Sequence, residues 1–222
     1  TMMPAYYLSW GRYTLLTGMF LLPLAMSEAL HLVKNQKNHL LEYLPFILFT
    51  AGTLLSHYFS AMLLAAFLVI LAIWQMIHAR RDFPSVFPQL IKLTLAALLA
   101  LLITSPWLIR VTRYTGMTVK PNLNIPTNIQ AYFAYPEKWD YVKQLLGPDS
   151  GLALIPAALL GLFLCLRTPE KRAFATWSLA LFLLSLPWGL RFGSFRSDHF
   201  VIILFLPIAI LSSILIGDLA QR

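Results

Sequence analysis

YFSAMLLAAFLVILAIWQMI, residues 58–77, runs for twenty residues without a charged side chain. A helix rises 1.5 Å per residue, so a run of this length reaches across the ~30 Å hydrocarbon core of a bilayer. In water, a helix apolar on every side has nowhere to put its outer face. Four further uncharged runs, 93–109, 150–166, 173–190 and 199–217, approach the same length. Two weaker ones, 13–33 (interrupted by Glu28 and His31) and 40–56, bring the expected count to about seven. The sequence therefore predicts an all-α, polytopic transmembrane helix bundle, a single domain over 1–222. Its spans are expected near 12–33, 40–56, 58–77, 88–109, 150–166, 173–190 and 199–218, with one long extracytoplasmic loop at 110–150.

Composition points the same way. Hydrophobic residues make up 59% of the 222 and charged residues only 12%, with a mean hydropathy of +0.70. That is more apolar surface than a soluble domain of this size can bury, so lipid is the solvent. The net charge of +8 does not point to nucleic acid, because the basic residues sit one to three at a time in turns between apolar runs. They read as topology determinants and headgroup contacts. The lone cysteine, Cys165, lies inside an apolar run, which excludes a disulfide framework and a cysteine metal site. The chain starts at Thr1 without an initiator Met or a signal-peptide pattern, and the expectation is a fragment of a longer protein.

Sidedness follows from the turns. With 110–150 placed outside, the connections alternate. Lys34, Lys37 and His39 are inside, residues 56–60 outside, and His78, Arg80 and Arg81 inside. Beyond the long segment, Arg167, Lys171 and Arg172 are inside, 191–198 outside and Arg222 inside. All the short basic turns then face the cytoplasm, as the positive-inside rule requires. Near 57 the chain reads as two helices, since 40–77 is nearly twice the length of one crossing. Within the long segment, 136–146 predicts a short helix on the outer membrane surface. Pro136 opens it, Gly147-Pro148 stops it, and Trp139, Val142 and Leu146 share a face.

This topology collects Arg12, His57, Tyr58, Arg110, Arg113, Arg191, Arg196, Asp198 and His199 near span ends on the outer face. Guanidinium is scarce there by the sidedness rule, and its fork of N–H donors matches two phosphate oxygens. The expected lipid-phosphate ligands are Arg12, His57, Arg110, Arg113, Arg191 and Arg196, with Tyr58, Asp198 and His199 as polar partners. Taken singly, each arginine is also explained by snorkelling to ordinary headgroups or by pairing with an acidic neighbour. His57 also reads as an interhelical histidine, since no carboxylate lies near it in sequence. Trp10, Trp107, Trp139 and Trp188 fit an interfacial aromatic belt. There is no nucleotide-binding or zinc-protease motif and no charge at mid-span. No metal and no cofactor are expected.

Three segments together resemble the later half of GT-C-type membrane glycosyltransferases, which use polyprenyl-phosphate sugars. They are Pro4-Ala5-Tyr6-Tyr7 with Trp10-Gly11-Arg12-Tyr13, then Leu54-Leu55-Ser56-His57-Tyr58, then Arg191-Phe192 with Arg196-Ser197-Asp198-His199 ahead of Leu204-Phe205-Leu206-Pro207. The opening segment also resembles multi-pass membrane proteins described as 6-pyruvoyl-tetrahydropterin synthase-related. The first resemblance implies sugar transfer from a polyprenyl-phosphate donor on the extracytoplasmic face of a prokaryotic plasma membrane. It also implies a catalytic carboxylate on a loop upstream of Thr1, so no catalytic residue is assigned here. The implied partners are membrane lipids, the lipid-linked sugar and the upstream part of the same chain. Two alternatives share the outer arginines: a transporter or flippase of lipid-linked saccharide, and a non-catalytic scaffold in envelope polysaccharide assembly. A flippase calls for polar residues at mid-depth, which these runs lack.

Overall fold

In the computed structural model of the chain, the described residues are 13–34, 40–78, 83–115, 154–186 and 197–220. Every regular element among them is helical. They fall into two compact units, one within Trp10–Met117 and one within Thr118–Arg222.

The first unit holds α1 (Tyr13–Lys34), a 3₁₀ turn (Leu40–Tyr43), α2 (Leu44–Ser56), α3 (Tyr58–His78) and α4 (Phe83–Thr115). The buried residues of α1 are Leu15, Gly18, Met19, Leu22, Ala25, Met26, Ala29 and Leu32. Their three-and-four spacing makes one packing seam, and its glycine and alanines let neighbouring backbones approach. At Gly18 a Cβ would collide with the Ser60 side chain and touch Ser56, and one turn later Leu21 covers Gly52. Moving up α1 thus moves down α2, so the two run antiparallel. Two hydroxyls beside this seam are satisfied locally, whereas the buried Thr50 Oγ1 and Ser60 Oγ have no hydrogen-bond partner among the described residues. Thr53 Oγ1 donates to the Phe49 carbonyl at 2.7 Å and Ser56 Oγ to the Gly52 carbonyl at 2.6 Å, which lets polar side chains sit between apolar helices.

In the second unit are α5 (Leu154–Arg167), a 3₁₀ turn (Pro169–Lys171), α6 (Arg172–Ser185), α7 (Ser197–Val201) and α8 (Phe205–Ala220). Ala158, Gly161 and Cys165 form the buried face of α5. A Cβ at Gly161 would land on the Leu211 backbone, so α5 and α8 touch main chain to main chain. Nearby, Ser212 Oγ donates to the Leu154 carbonyl at 3.3 Å. Trp177, 1% exposed, fills the inner side of α6. The turn into α6 is tied by Thr168, whose hydroxyl and amide both donate to the Leu164 carbonyl. Arg172 Nε donates to the Leu166 carbonyl at 2.9 Å, placing positive charge where a helix C-terminus carries unsatisfied carbonyls.

The apolar run at 199–217 is broken between α7 and α8. Pro207 has no amide for the Ile203 carbonyl, and the Leu206 amide donates there instead at 2.9 Å. The amides of Ile203 and Leu204 make the same three-residue step, to Phe200 and Val201. The chain tightens locally before α8 resumes.

Among the described residues, four segments are long and apolar enough to cross a membrane: Tyr13–Lys34, Tyr58–His78, Val86–Val111 and His199–Ala220. Leu41–Ser56 and Leu154–Arg167 are apolar but shorter. On α4 the buried residues Leu93, Ala96, Ala100 and Thr104 mark one stripe, while Leu95, Leu98, Leu99, Leu102, Ile103 and Ile109 are exposed. A continuous exposed face of large aliphatic side chains belongs in lipid, not water. The chain is a helical membrane protein.

Candidate functional site

The site is built on the last turns of α4. Pro106 would interrupt the helix, since it offers no amide to the Leu102 carbonyl. Ser105 Oγ donates to that carbonyl at 2.7 Å, and the helix continues to Thr115, five residues past the point where the sequence reading begins the outer segment. Hydrogen-bonding geometry carries a helix through charged residues as readily as through apolar ones. Residues 106, 109, 110 and 113 follow the three-and-four spacing of one helical face. Pro106, Ile109, Arg110 and Arg113 accordingly surround a single hollow of about 280 Å³.

Arg110 and Arg113 are both exposed, and among the described residues neither has a carboxylate partner. Arg113 lies in the last turn, where the helix dipole favours a cation. That effect fades within one turn, so it does not account for Arg110. Like charges three residues apart repel unless an anion sits between them. Two guanidiniums around one hollow offer several N–H donors to such an anion, in the geometry that suits phosphate.

His57 has a local role. It is the single extended residue between α2 and α3, at φ −161° and ψ 131°. Its carbonyl accepts the Ala61 amide at 3.1 Å, and its Nδ1 accepts the Phe59 amide at 3.2 Å. It is therefore the N-cap of α3, doing with an imidazole what Asn or Asp does more often. The ring stacks on Tyr58, with centroids 4.5 Å apart and planes at 24°. A cap of this kind contributes about 1 kcal/mol. His57→Ala is expected to lower the thermal unfolding midpoint of the purified protein, and His57→Asn, which can still cap, to restore most of it. Equal losses in both would show that the cap is not what the ring supplies.

Of the other predicted site residues, His199 is in α7, in the second unit. Asp198 precedes it in the same helix, and its side chain lies outside the description. Arg12, Arg191 and Arg196 lie outside the described residues, as do the proposed surface helix at 136–146 and Trp10, Trp139 and Trp188. The geometry thus brings together Arg110 with Arg113, and His57 with Tyr58. Among the described residues no three His, Cys, Asp or Glu side chains converge as metal ligands do. Sequence reasoning missed Ser105, whose bond keeps α4 going past its proline; a serine next to a proline was the available signal. Comparison with protein-family models, with curated proteins and with solved structures finds no match to this chain.

Proposed function

We propose that this chain is the transmembrane part of a lipid-phosphate-dependent glycosyltransferase, with Arg110 and Arg113 holding the phosphate of a polyprenyl-linked sugar donor. The observation that carries the proposal is the pair of guanidiniums around one hollow at the end of a membrane-length helix. A phosphate at the head of a lipid presents itself at this depth, and a polyprenyl tail partitions into the surrounding hydrocarbon. In the proposed reaction an acceptor hydroxyl attacks the anomeric carbon. The bond from that carbon to the phosphate oxygen breaks, and polyprenyl phosphate leaves with the electron pair. Negative charge grows on the departing phosphate, and arginines fixed beside it stabilise that charge without reorganising.

The proposal includes the finer topology. We place about seven spans in a prokaryotic inner membrane, with Arg110 and Arg113 on the extracytoplasmic side, because that orientation puts every short basic turn in the cytoplasm. Leu41–Ser56 and Leu154–Arg167 would each rise roughly 21–24 Å at 1.5 Å per residue, short of a full crossing without their flanking turns. Arg12, His57, Arg191 and Arg196 are further candidate ligands, with Tyr58, Asp198 and His199 as their polar partners. The proton of the attacking hydroxyl passes to a carboxylate base, for which no residue of this chain is assigned.

The test is sugar transfer from a polyprenyl-phosphate sugar by the full-length protein reconstituted in vesicles. Losing one charge-assisted hydrogen-bonding group costs about 1.5–3 kcal/mol, so Arg110→Ala is expected to lower kcat/KM by ~10-fold or more. Transfer at the wild-type rate would remove Arg110 from the site.

A further inference from the structure

The second unit contains a cavity of about 190 Å³ between α5, α6 and α8, lined by residues that include Ala158, Leu162, Ser178, Phe182, Pro207 and Leu211. We propose that it binds one acyl chain of an ester-linked membrane lipid, with the Ser178 hydroxyl donating to the ester carbonyl. This site lies in a different unit from Arg110 and Arg113 and stands apart from the phosphate reading.

The lining is hydrocarbon apart from Ser178 and Ser185. Ser185 Oγ is already used, donating to the Phe182 carbonyl at 2.6 Å. Ser178 is only 4% exposed, and among the described residues its Oγ has no hydrogen-bond partner. Thr53, Ser56, Thr94 and Ser213 donate back one turn, while Thr50 and Ser60 in the first unit are buried and unpartnered among the described residues, as Ser178 is. What sets Ser178 apart from those two is that it belongs to the lining of this cavity. A buried hydroxyl without an acceptor is costly, so an occupant that supplies one is favoured over one that does not. Water does not fit that role, because a buried water needs at least two polar partners and these walls offer too few.

The cavity also has an entrance. Leu159, Leu179 and Phe182 belong to its lining and are exposed on the outer surface of the unit. In a membrane protein that surface meets lipid tails. An empty apolar void destabilises in proportion to its volume, and apolar cavities of ~150 Å³ take up hydrocarbon rings from solution. A chain from the bilayer is the nearest occupant.

The single donor selects the lipid class. An acyl ester carries a carbonyl where its chain begins, and Ser178 lies six residues beyond Arg172, the first residue of α6, or about 9 Å along the helix. A polyprenyl phosphate carries its oxygens only on the charged phosphate, which an apolar cavity would have to desolvate.

The experiment is native mass spectrometry of the full chain in detergent. It is mixed with dioleoylphosphatidylglycerol, with the ether-linked analogue of that lipid, or with a polyprenyl phosphate. The wild type is expected to retain one ester lipid per chain and to hold it ~5-fold better than the ether analogue, the effect of one neutral hydrogen bond. Ser178→Ala should retain both equally, and Ala158→Phe, which puts a ring into the cavity, should retain neither. Should Ala158→Phe fail to fold, the ester-to-ether ratio in the wild type and in Ser178→Ala decides alone. Equal retention of ester and ether lipid by the wild type would overturn the proposal. So would preferential retention of the polyprenyl phosphate, which would assign the cavity to an isoprenoid chain.

Discussion

Gly161→Leu is expected to be the most destabilising single substitution in the second unit. A Cβ at this position meets the carbonyl oxygen, carbonyl carbon and Cα of Leu211, all main-chain atoms. A flexible side chain could swing away, but a helix backbone can only move as a body. Displacing α8 would open the packing over Ala158 and Cys165 and stretch the bond from Ser212 to the Leu154 carbonyl. Overpacking of this kind costs about 3 kcal/mol, which corresponds to roughly 10 °C in unfolding midpoint for a chain of this length. Cys165 gives a direct readout, being the chain's one cysteine and fully buried in α5. A thiol-reactive fluorophore followed during heating reports when this face opens. Gly217→Ala is the control: no atom lies within 4 Å of a Cβ built there. Its greater helix propensity should raise the midpoint slightly, by up to about 1 kcal/mol of stability. Equal midpoints for Gly161→Leu and the wild type would mean that α5 and α8 do not meet at this glycine.

The second large effect concerns the arginine pair. Arg110→Ala and Arg113→Ala together are expected to lower sugar transfer by ~10²-fold or more, with the change carried by donor binding and phosphate departure. The two losses need not add, because guanidiniums that share one anion are coupled, and removing the first already relieves their mutual repulsion. Arg→Lys at both positions keeps the charge but loses the planar fork, so an intermediate activity is expected. Full activity in the lysine pair would show that charge alone matters. If the double alanine variant kept full activity, the arginines would be ordinary headgroup anchors.

Most helix positions were legible in the apolar runs because in lipid every backbone amide and carbonyl must be satisfied within the segment. The run 58–77 anticipates Tyr58–His78, and 173–190 anticipates the start, though not the early end, of Arg172–Ser185. What hydropathy does not carry is hydrogen bonding at prolines. It therefore set the end of α4 at Ile109 rather than Thr115, and it gave no sign of the tight turn ahead of Pro207 inside the run 199–218, which corresponds to the membrane-length segment His199–Ala220. The candidate arginines stand out in the sequence because, in the proposed orientation, the sidedness rule expects few of them on that face. Their pairing does not, since it depends on α4 continuing past Pro106 with Ser105 bonded to Leu102. His57 shows the opposite case. Its residue type suggested a ligand, while its bond to the Phe59 amide gives it a capping role that no single-residue signal announces. Ser178 likewise resembles any serine in an apolar helix until the cavity beside it is visible.

The most direct test of phosphate recognition by Arg110 and Arg113 is equilibrium binding of a polyprenyl phosphate and of the corresponding polyprenol to the detergent-purified protein. Both share the tail, so their difference isolates the phosphate. The wild type should bind the phosphate at least ~10-fold more tightly than the alcohol, with the preference weakening as salt rises. The Arg110→Ala/Arg113→Ala variant should bind the two alike. Retention of the full phosphate preference by that variant would contradict the account.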